Sequence, residues 1–177
     1  MINRIENAIP PMFLEFLKTQ VQNQERWSFI YPKASIFEKK YPRLTIYDGS
    51  NIPETKFLEG VSYMILLMIY HKMLHDGNNF FKPNMLWCGV AIKDKLTPDN
   101  LHIDHDNDIP EGMKVVKLLG LLHAEWPEEY GGHFYHGGEE HIMNPGTFLC
   151  FDPLVKHKAT TIHTDVKRIA IDFTVLA

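Results

Sequence analysis

The chain has 177 residues, of which 45% are apolar and 23% charged, and a formal net charge of −4 at pH 7 with histidine neutral. This length predicts a single domain over residues 1–177, with a core that needs no disulfide or structural metal. The negative charge argues against a nonspecific binder of nucleic acid or of an anionic membrane surface, because both need a basic protein surface.

Cysteine usage and the apolar runs predict the compartment. Cys88 and Cys150 each lie inside an apolar run, which predicts buried, reduced thiols. The segment MINRIENAIPPMF at the start has no apolar signal core, and the most apolar run, VSYMILLMIY at 61–70, is too short to cross a bilayer. We therefore expect a cytoplasmic protein that does not act in a membrane.

Residues 1–80 are predicted to form a helical support region. The segment PPMFLEFLKTQVQNQERW (10–27) begins with proline, which suits a first helical turn, and carries apolar side chains on one side. The segment IPETKFLEGVSYMILLMIYHKMLHDG (52–77) is apolar over most of its circumference, which predicts a helix packed against a sheet. Between them, IYPKASIFEKKYPRLTIYDGSNIP (30–53) is predicted to be irregular strand and loop.

From about Met85 to residue 177 the sequence is typical of a β core. Short β-prone segments alternate with turn residues; they are MLWCGVAI, NLHID, MKVVKLLGLLHAEW, GHFYHGG, HIMNP, GTFLCF, KHKATTIH and KRIAIDFTVL. Seven or eight short strands with regular turns predict a sandwich or a jelly roll. The expected fold is therefore mainly β, with the N-terminal helices packed on the larger sheet.

The histidine-rich half contains a candidate metal site. In the strand-like segment HID, His102 and Asp104 stand two residues apart and so project from the same face. His105 points the other way, and Asp106 sits nearer the loop. A third ligand must come from another strand, and His157 in FDPLVKHKATTIH is the candidate. Two histidines and one carboxylate leave three coordination positions open, which suits a non-haem Fe(II) centre that binds a bidentate cosubstrate and dioxygen.

Such a cosubstrate needs a cation, and KRIAIDF offers two. Arg168 shares a strand face with Ala170 and Asp172, whereas Lys167 shares the apolar face of the strand. A simple rule that apolar residues point inward would turn Lys167 inward. A ligand pocket reverses that rule locally, so Arg168 is preferred as the partner of a carboxylate and Lys167 is the reserve.

In the order HID, EWPEEYGGHFY, MNPGTFLCFDPLVKHKATT and KRIAIDF, these segments resemble the Fe(II)- and 2-oxoglutarate-dependent oxygenases, particularly the prolyl-hydroxylase-like branch. The resemblance runs from about Trp87 to Phe173. It implies a double-stranded β-helix in which His102, Asp104 and His157 bind iron and Arg168 binds the far carboxylate of 2-oxoglutarate.

The same resemblance implies Fe(II), 2-oxoglutarate and O2 as cofactor and cosubstrates, with ascorbate as an optional addition. It implies hydroxylation of a substrate C–H bond, with 2-oxoglutarate converted to succinate. The family's common R-x-S pattern is replaced here by Arg168-Ile169-Ala170. A tyrosine or threonine on a facing strand would then have to supply the second hydrogen bond to the cosubstrate.

Two other functions remain open on the residues alone. His133 and His136 invite a cupin-type metal site, although their H-x-x-H spacing puts them on opposite strand faces. The other alternative is a non-catalytic β-helix domain that binds a ligand or a partner protein. A second H-x-D, at His163 to Asp165, has no histidine after it and is predicted to be a solvated turn. His71 and His75 are expected on the solvent edge of their helix.

Four side chains are candidates for a substrate pocket, namely Trp87, His123, Trp126 and Tyr130. The aromatic ones could line or cover an entrance, because EWPEEYGG has the composition of a mobile loop. His123 could touch substrate, or it could be a hydrogen-bonded strand histidine. The expected partner is a small molecule or a protein residue as substrate, nucleic acid is disfavoured, and the protein is expected to be a monomer or a homodimer.

Overall fold

A computed structural model of the chain describes residues 2–25, 27–30, 41–50, 53–97, 99–104 and 112–177. This part of the chain contains the helices α1 (Pro11–Gln22) and α2 (Lys56–His75). Its strands are β1 (Ile2–Ile5), β2 (Ser28–Ile30), β3 (Tyr41–Tyr47), β4 (Met85–Lys93), β5 (Val115–Leu121), β6 (Phe134–His136), β7 (Glu139–His141), β8 (Phe148–Phe151), β9 (His157–Ala159) and β10 (Arg168–Leu176).

The strands form two antiparallel sheets that pack face to face. The major sheet has the order β1-β8-β5-β10-β4-β3-β2, and the minor sheet has the order β7-β6-β9. Phe134 of the minor sheet packs on Phe151 of the major sheet, with ring centres 4.6 Å apart. Two antiparallel sheets closed over a shared core make a jelly roll, so the predicted mainly β fold with N-terminal helices is confirmed.

Both helices cover the face of the major sheet that is turned away from the minor sheet. Leu14, Leu17 and Val21 are the buried residues of α1, and their spacing puts them on one side of the helix. They join one core cluster with side chains of α2 and of the sheet, including Val90 and Ile171. We call this the outer face of the major sheet; the inner face is turned toward the minor sheet.

The helix α2 is apolar on two sides. Together with the turn before it, the segment 53–75 is long and apolar enough by length and composition to cross a membrane, although its central run alone had been predicted to be too short. Leu58, Ile65 and Ile69 are buried against the sheet. On the opposite side Met64 and Leu67 are exposed. Part of the high hydropathy of α2 therefore comes from residues that are buried in the core of this fold.

The first eighty residues contribute more than the predicted helices. Besides α1 and α2 they hold β1, β2 and β3, three strands of the major sheet. β1 pairs with β8 at one edge, and β3 pairs with β4 near the other edge. Residues 1–80 are therefore part of the β architecture as well as its support. The strand β1 escapes sequence analysis because INRI is short and has two polar residues in its middle.

Two predicted strands are shorter in the structure than their sequence pattern. The long segment MKVVKLLGLLHAEW forms β5 only over Val115–Leu121, so His123 follows the strand. In NLHID only His102 makes a strand-like contact, an isolated antiparallel bridge to His157.

Both cysteines are buried free thiols, as predicted. Cys88 and Cys150 lie on the outer face of the major sheet within the cluster that includes the helices. Burial raises the pKa of Cys150 to about 12, so this thiol stays protonated at neutral pH. The two side chains act as small apolar residues of the core.

Gly120 should be intolerant of any side chain. It lies on the outer face of β5, where an added Cβ would stand 2.5 Å from Cε1 and 2.6 Å from Cζ of the fully buried Phe148. We expect Gly120→Ala to lower the free energy of unfolding by about 1–3 kcal/mol through overpacking.

Gly60→Ala is the matched control, because Gly60 is exposed in α2 with open space around it. Helix propensity predicts that it stabilises by up to about 1 kcal/mol. Chemical denaturation of both variants tests the contrast, and equal effects would contradict it.

Candidate active site

The structure brings the three predicted metal ligands together. A pair of backbone hydrogen bonds joins His102 and His157, at 3.0 and 2.8 Å, and the amide of Asp104 donates to the carbonyl of Pro153 at 2.9 Å. One ligand atom from each side chain lies within 4.8 Å of those of the other two. The Oδ2 atom of Asp104 is 3.4 Å from Nε2 of His157, and its Oδ1 atom is 3.9 Å from Nε2 of His102. His105 and Asp106 lie outside the described residues.

Backbone carbonyls orient both imidazole rings. Nδ1 of His102 lies 2.7 Å from the carbonyl oxygen of Asn100, and Nδ1 of His157 lies 2.8 Å from that of Val155. A carbonyl can only accept, so Nδ1 carries the proton in each neutral ring and Nε2 keeps its lone pair. Burial lowers the pKa of His102, which favours the neutral form at neutral pH. Both rings thus turn Nε2 toward Asp104. The pairing of the other ring nitrogen with a carbonyl is the arrangement found in histidines that bind metals.

Of the two basic residues at the start of β10, Arg168 is the one that lines the cavity. It lies with Ala170 and Asp172 on the inner face of β10, whereas Ile169 and Ile171 pack in the cluster of the outer face. The apolar side of this strand therefore faces the helices, and the polar side faces the gap between the sheets. Lys167 is exposed to solvent just before the strand begins.

The Arg168 side chain is buried without a full set of partners. It is 3% exposed, and its Nε and Nη2 atoms have no hydrogen-bond partner among the described residues. Burial lowers its pKa to about 10, so the guanidinium stays charged at neutral pH. Gly132 of the predicted glycine pair packs on it, since a Cβ there would lie 2.8 Å from Cδ of Arg168. A buried cation with unused donors suits an anionic ligand.

A second buried cation beside Arg168 is already neutralised. Lys93 stands opposite Arg168 in the pairing of β4 with β10, and its amine lies 2.6 Å from Oδ2 of Asp99. The same carboxylate oxygen accepts a hydrogen bond from the amide of Ala159 at 2.8 Å. Lys93 is therefore committed to Asp99, and Arg168 is the cation of this pair that can take up an outside carboxylate.

Tyr41 is the hydroxyl-bearing side chain that sequence reasoning did not identify. Its ring centre lies 4.9 Å from the amine of Lys93, and the side chain lines the same cavity as Arg168. Burial raises its pKa to about 12, so the phenol stays protonated and can donate a hydrogen bond. Where the family's common R-x-S pattern has a hydroxyl at its third position, this structure has the buried methyl of Ala170. Tyr41 comes from β3 of the same sheet, where its distance in sequence leaves no local signal.

One cavity contains the triad and Arg168 together. Its volume is about 130 Å³. The lining residues come from both sheets and from the segment before His102; they are Tyr41, Arg43, Ala91, Lys93, Asp99, His102, Asp104, Lys117, Leu119, Phe134, Phe151, His157, Lys158, Ala159, Arg168, Ala170 and Asp172. Lys117 lies 2.8 Å from Asp104 and 3.6 Å from Asp172, and so balances charge beside the triad. The cavity therefore joins a metal-type donor set to a buried cation with unused hydrogen-bond donors.

The structure is similar to solved structures over nearly the whole chain. A prolyl-4-hydroxylase of Pseudomonas putida has a TM-score of 0.63 at 16% identity, covering 99% of this chain and 92% of that one. A Trichoplax adhaerens prolyl hydroxylase, in complex with a peptide of the hypoxia inducible factor oxygen degradation domain, has 0.59 at 17%, covering 99% and 83%. The α-ketoglutarate-dependent carbocyclase SnoK of nogalamycin biosynthesis has 0.66 at 11%, covering 99% and 79%.

The chain has the fold of the 2-oxoglutarate- and Fe(II)-dependent oxygenases. The predicted resemblance to these proteins and the double-stranded β-helix that it implies are thus confirmed at the level of the fold. No protein-family model matches the sequence, and no curated protein matches it either.

Within this double-stranded β-helix the four predicted pocket residues separate into two groups. Trp87 borders the cavity, since its ring contacts Arg43 and Lys117. His123, Trp126 and Tyr130 do not line the cavity; they pack on one another, with ring centres 4.7 Å apart for the first two and 5.5 Å for the last two. The indole of Trp126 donates to the carbonyl of Gly131 at 2.9 Å. These three residues hold the loop that carries the glycine pair.

His123 is a hydrogen-bonded histidine, which agrees with the interpretation that the sequence favoured, although it follows β5 and does not lie in the strand. Its Nε2 atom accepts a hydrogen bond from the amide of Ile169 at 3.0 Å, next to Arg168 in the chain. Burial, with Lys18 as a lesser cause, lowers its pKa to about 4.

This lowered pKa predicts a loss of stability in mild acid. The unfolded state takes up a proton near pH 6.5 and the folded state only near pH 4, so stability is complete above the first value and falls toward the second. Protonation also converts the acceptor Nε2 into a donor facing an amide. We expect the wild type to lose about 2 kcal/mol more than His123→Gln between pH 7.5 and pH 5, measured by urea unfolding. Parallel losses in the two proteins would contradict the assignment.

The cupin-type pair does not converge on one site. Nε2 of His133 lies 2.9 Å from the carbonyl of Glu128, and its Nδ1 accepts from the amide of Met143 at 3.3 Å. His136 packs between Phe134 and Phe151 and stacks toward His157 at 6.4 Å. Over residues 2–25, 27–30, 41–50, 53–97, 99–104 and 112–177, the group of His102, Asp104 and His157 is the one cluster of three or more metal-type side chains.

The remaining histidine predictions agree with the structure. His71 and His75 are exposed on α2. In the second H-x-D, His163 is exposed and the side chain of Asp165 is 88% exposed, as expected of a solvated turn. Asp165 pairs with Lys95 at the surface, at 2.6 Å, and so has no place in the candidate site.

Proposed function

We propose that the protein is an Fe(II)- and 2-oxoglutarate-dependent dioxygenase that hydroxylates a C–H bond of its substrate. The observation that carries this proposal is the buried guanidinium of Arg168, whose Nε and Nη2 atoms have no hydrogen-bond partner among the described residues, in the same cavity as His102, Asp104 and His157. A metal-type donor set alone fits many proteins. Its combination with a buried cation that lacks partners fits a cosubstrate that carries carboxylates at both ends.

The donor set fits Fe(II). Two neutral imidazoles and one carboxylate leave open positions on the metal, and the two Nδ1–H groups that donate to carbonyls would keep the ligand geometry fixed. When bound, the iron supplies the redox chemistry that couples O2, 2-oxoglutarate and a substrate C–H bond to give succinate, carbon dioxide and the hydroxylated product. This stoichiometry balances without a further reductant, and ascorbate would serve only to restore iron oxidised in uncoupled turnovers.

The chain's own residues would position the cosubstrate and exclude water. Arg168 would bind the distal carboxylate through its unused donors, and the protonated hydroxyl of Tyr41 would supply the hydrogen bond that Ala170 cannot. Lys93 would remain with Asp99 and so would not compete for the carboxylate. Phe134 and Phe151 form an apolar wall beside His157.

The type of reaction is a separate part of the proposal. The same fold is found in proteins named prolyl hydroxylase and in one named carbocyclase. Hydroxylation is preferred here on the resemblance of the sequence motifs to the prolyl-hydroxylase-like branch. Identification of the product by mass is the test: a gain of one oxygen supports hydroxylation, and a loss of two hydrogens would replace it with a desaturation or ring closure.

An anaerobic titration of the purified protein with Fe(II) and 2-oxoglutarate tests the proposed centre directly. We expect a weak visible charge-transfer band in the wild type and none in His157→Ala. If the wild type fails to bind iron, the oxygenase proposal is lost and the protein is better treated as a non-catalytic binding domain.

We also propose the setting in which this enzyme acts. The chain would work in the cytoplasm, without a membrane, on a small molecule or on an accessible residue of a protein. The Trichoplax adhaerens prolyl hydroxylase is in complex with a peptide fragment, and this similarity supports a protein residue as the substrate. Light scattering of the purified chain would decide between a monomer and a homodimer.

A further inference from the structure

A cationic surface borders the cavity on the inner face of the major sheet. Arg43 of β3 lines the cavity, and its guanidinium carbon lies 4.4 Å from the centre of the Trp87 ring. The amine of Lys117 lies 5.5 Å from the same ring centre. We call Arg43, Trp87 and Lys117 the basic platform.

The basic platform is distinct from the position of Arg168. Trp87 and Lys117 both pair with Thr174, six residues along β10 from Arg168. At about 3.3 Å per residue, this separation places their backbones about 20 Å along the strand from that of Arg168. The backbone of Arg43 is nearer, because Arg43 pairs with Ala91, which stands opposite Ala170. Its guanidinium, however, stacks on the Trp87 ring, and that ring lies over Gly89, opposite Asp172 and about 13 Å along the strand from Arg168. We therefore assign the basic platform to a molecule other than the cosubstrate.

Gly89 allows the indole to reach its place. It lies between Trp87 and Ala91 on the inner face of β4, and a Cβ there would collide with Cζ2 and Cη2 of the Trp87 ring. The indole consequently lies against the backbone of the strand, beside Arg43. The ring is thus positioned by the sheet, so the stacked guanidinium has a fixed support.

The charge of Arg43 is not neutralised within the described part of the chain. No ion pair there involves its guanidinium, whereas Lys117 is paired with Asp104 and Asp172. Arg43 is half-buried and borders the cavity. Its planar group could therefore accept an incoming carboxylate or phosphate by two parallel hydrogen bonds.

The cavity as a whole has an excess of positive charge. Its lining includes five basic side chains and three acidic ones, in a chain whose net charge is −4. Fe(II) and doubly charged 2-oxoglutarate would cancel one another. The loaded cavity would therefore keep a surplus of about two positive charges, which attracts anions and repels cations.

We propose that the substrate carries an anionic group, a carboxylate or a phosphate, which Arg43 binds on the basic platform. Trp87 contacts the apolar part of the molecule next to that group. This inference rests on the proposed function, since it takes the triad and Arg168 as the place of iron and 2-oxoglutarate. It assigns Arg43 as a residue that determines substrate specificity.

The test uses the full chain, loaded anaerobically with Fe(II) and saturating 2-oxoglutarate. The visible band first establishes that the centre has formed. Calorimetric titrations with benzoate, phenyl phosphate and uncharged benzamide then follow, on the wild type and on Arg43→Gln and Arg43→Lys. Lys95→Gln is the matched control, because it removes the same charge from an exposed side chain outside the cavity lining.

We expect at least one of the two anions to bind about tenfold or more tightly than benzamide, because benzamide offers Arg43 no negative charge for a charge-assisted hydrogen bond. Arg43→Gln should abolish this preference, Arg43→Lys should retain part of it, and Lys95→Gln should retain all of it. The ratio of the two anion affinities tells a carboxylate site from a phosphate site.

Three results would overturn the assignment: equal affinity for benzoate and benzamide, no binding of either anion, or an anion preference that survives Arg43→Gln. Anion binding that disappears as 2-oxoglutarate is raised would place the probe at Arg168 and would also count against it. Absence of the visible band is a different result, because it removes the proposed function itself.

Discussion

Replacing Arg168 with methionine should abolish binding of 2-oxoglutarate while leaving the protein at least as stable as before. The Nε and Nη2 atoms of this buried guanidinium have no hydrogen-bond partner among the described residues, so its loss should weaken cosubstrate binding by about 100-fold or more. The same lack of partners makes it a cost to folding. An apolar side chain of similar length should raise the free energy of unfolding by about 1 kcal/mol or more. Calorimetry with 2-oxoglutarate and chemical denaturation measure the two effects separately.

Lys167→Met is the matched control for this prediction. Lys167 precedes Arg168 in the chain but is exposed, so its replacement should leave both the affinity and the stability nearly unchanged. A marked loss of stability in Arg168→Met would indicate that the guanidinium is a structural partner. A loss of 2-oxoglutarate binding in Lys167→Met alone would transfer the role to the reserve residue.

Asp104→Ala should remove iron binding. The carboxylate lies within reach of Nε2 of both His102 and His157, and it is the one anionic ligand of the three. Loss of a residue that only supports a ligand already weakens metal binding by about 10- to 100-fold, so loss of the ligand itself should cost at least about 100-fold. Iron content after anaerobic loading and desalting gives the measurement.

The second H-x-D provides an internal control for the same experiment. Asp165→Ala changes an identical pattern at a site where the carboxylate is 88% exposed and paired with Lys95. We expect it to bind iron like the wild type. Equal iron content in the Asp104 and Asp165 variants would show that the metal is held elsewhere. Circular dichroism of each variant guards against a loss caused by misfolding.

Several features could be predicted from local patterns because their physical cause is local. The helices α1 and α2 show apolar residues at helical spacing, and their bounds fall inside the predicted segments. The pair of His102 and Asp104 follows from the alternation of side chains in extended chain. His157 is the third-ligand candidate because it lies in another strand-like segment after a proline turn, and the structure brings this residue to the other two.

Other features depend on contacts between distant segments, which a single sequence does not display. Whether Arg168 or Lys167 faces the cavity depends on which side of β10 the helices cover, and no pattern within KRIAIDF encodes that choice. Tyr41 reaches the cavity only because β3 pairs with β4. The placement of His123 and Trp126 was anticipated less well, because a strand pattern does not reveal where backbone pairing stops.

In the major sheet, one face of each central strand packs against the helices and the other face lines the cavity. On β10, Ile171 and Phe173 pack under the helices. The alternate residues of the same strand line the cavity; they are Arg168, Ala170 and Asp172. The same alternation holds on β4, where Cys88 and Val90 face the helices. Changes to the cavity can thus accumulate at every second residue without opening a hole beneath α1 and α2. Such a scaffold can drift between substrates at little cost in folding, and a mutant library limited to the inner positions would search new chemistry with few misfolded members.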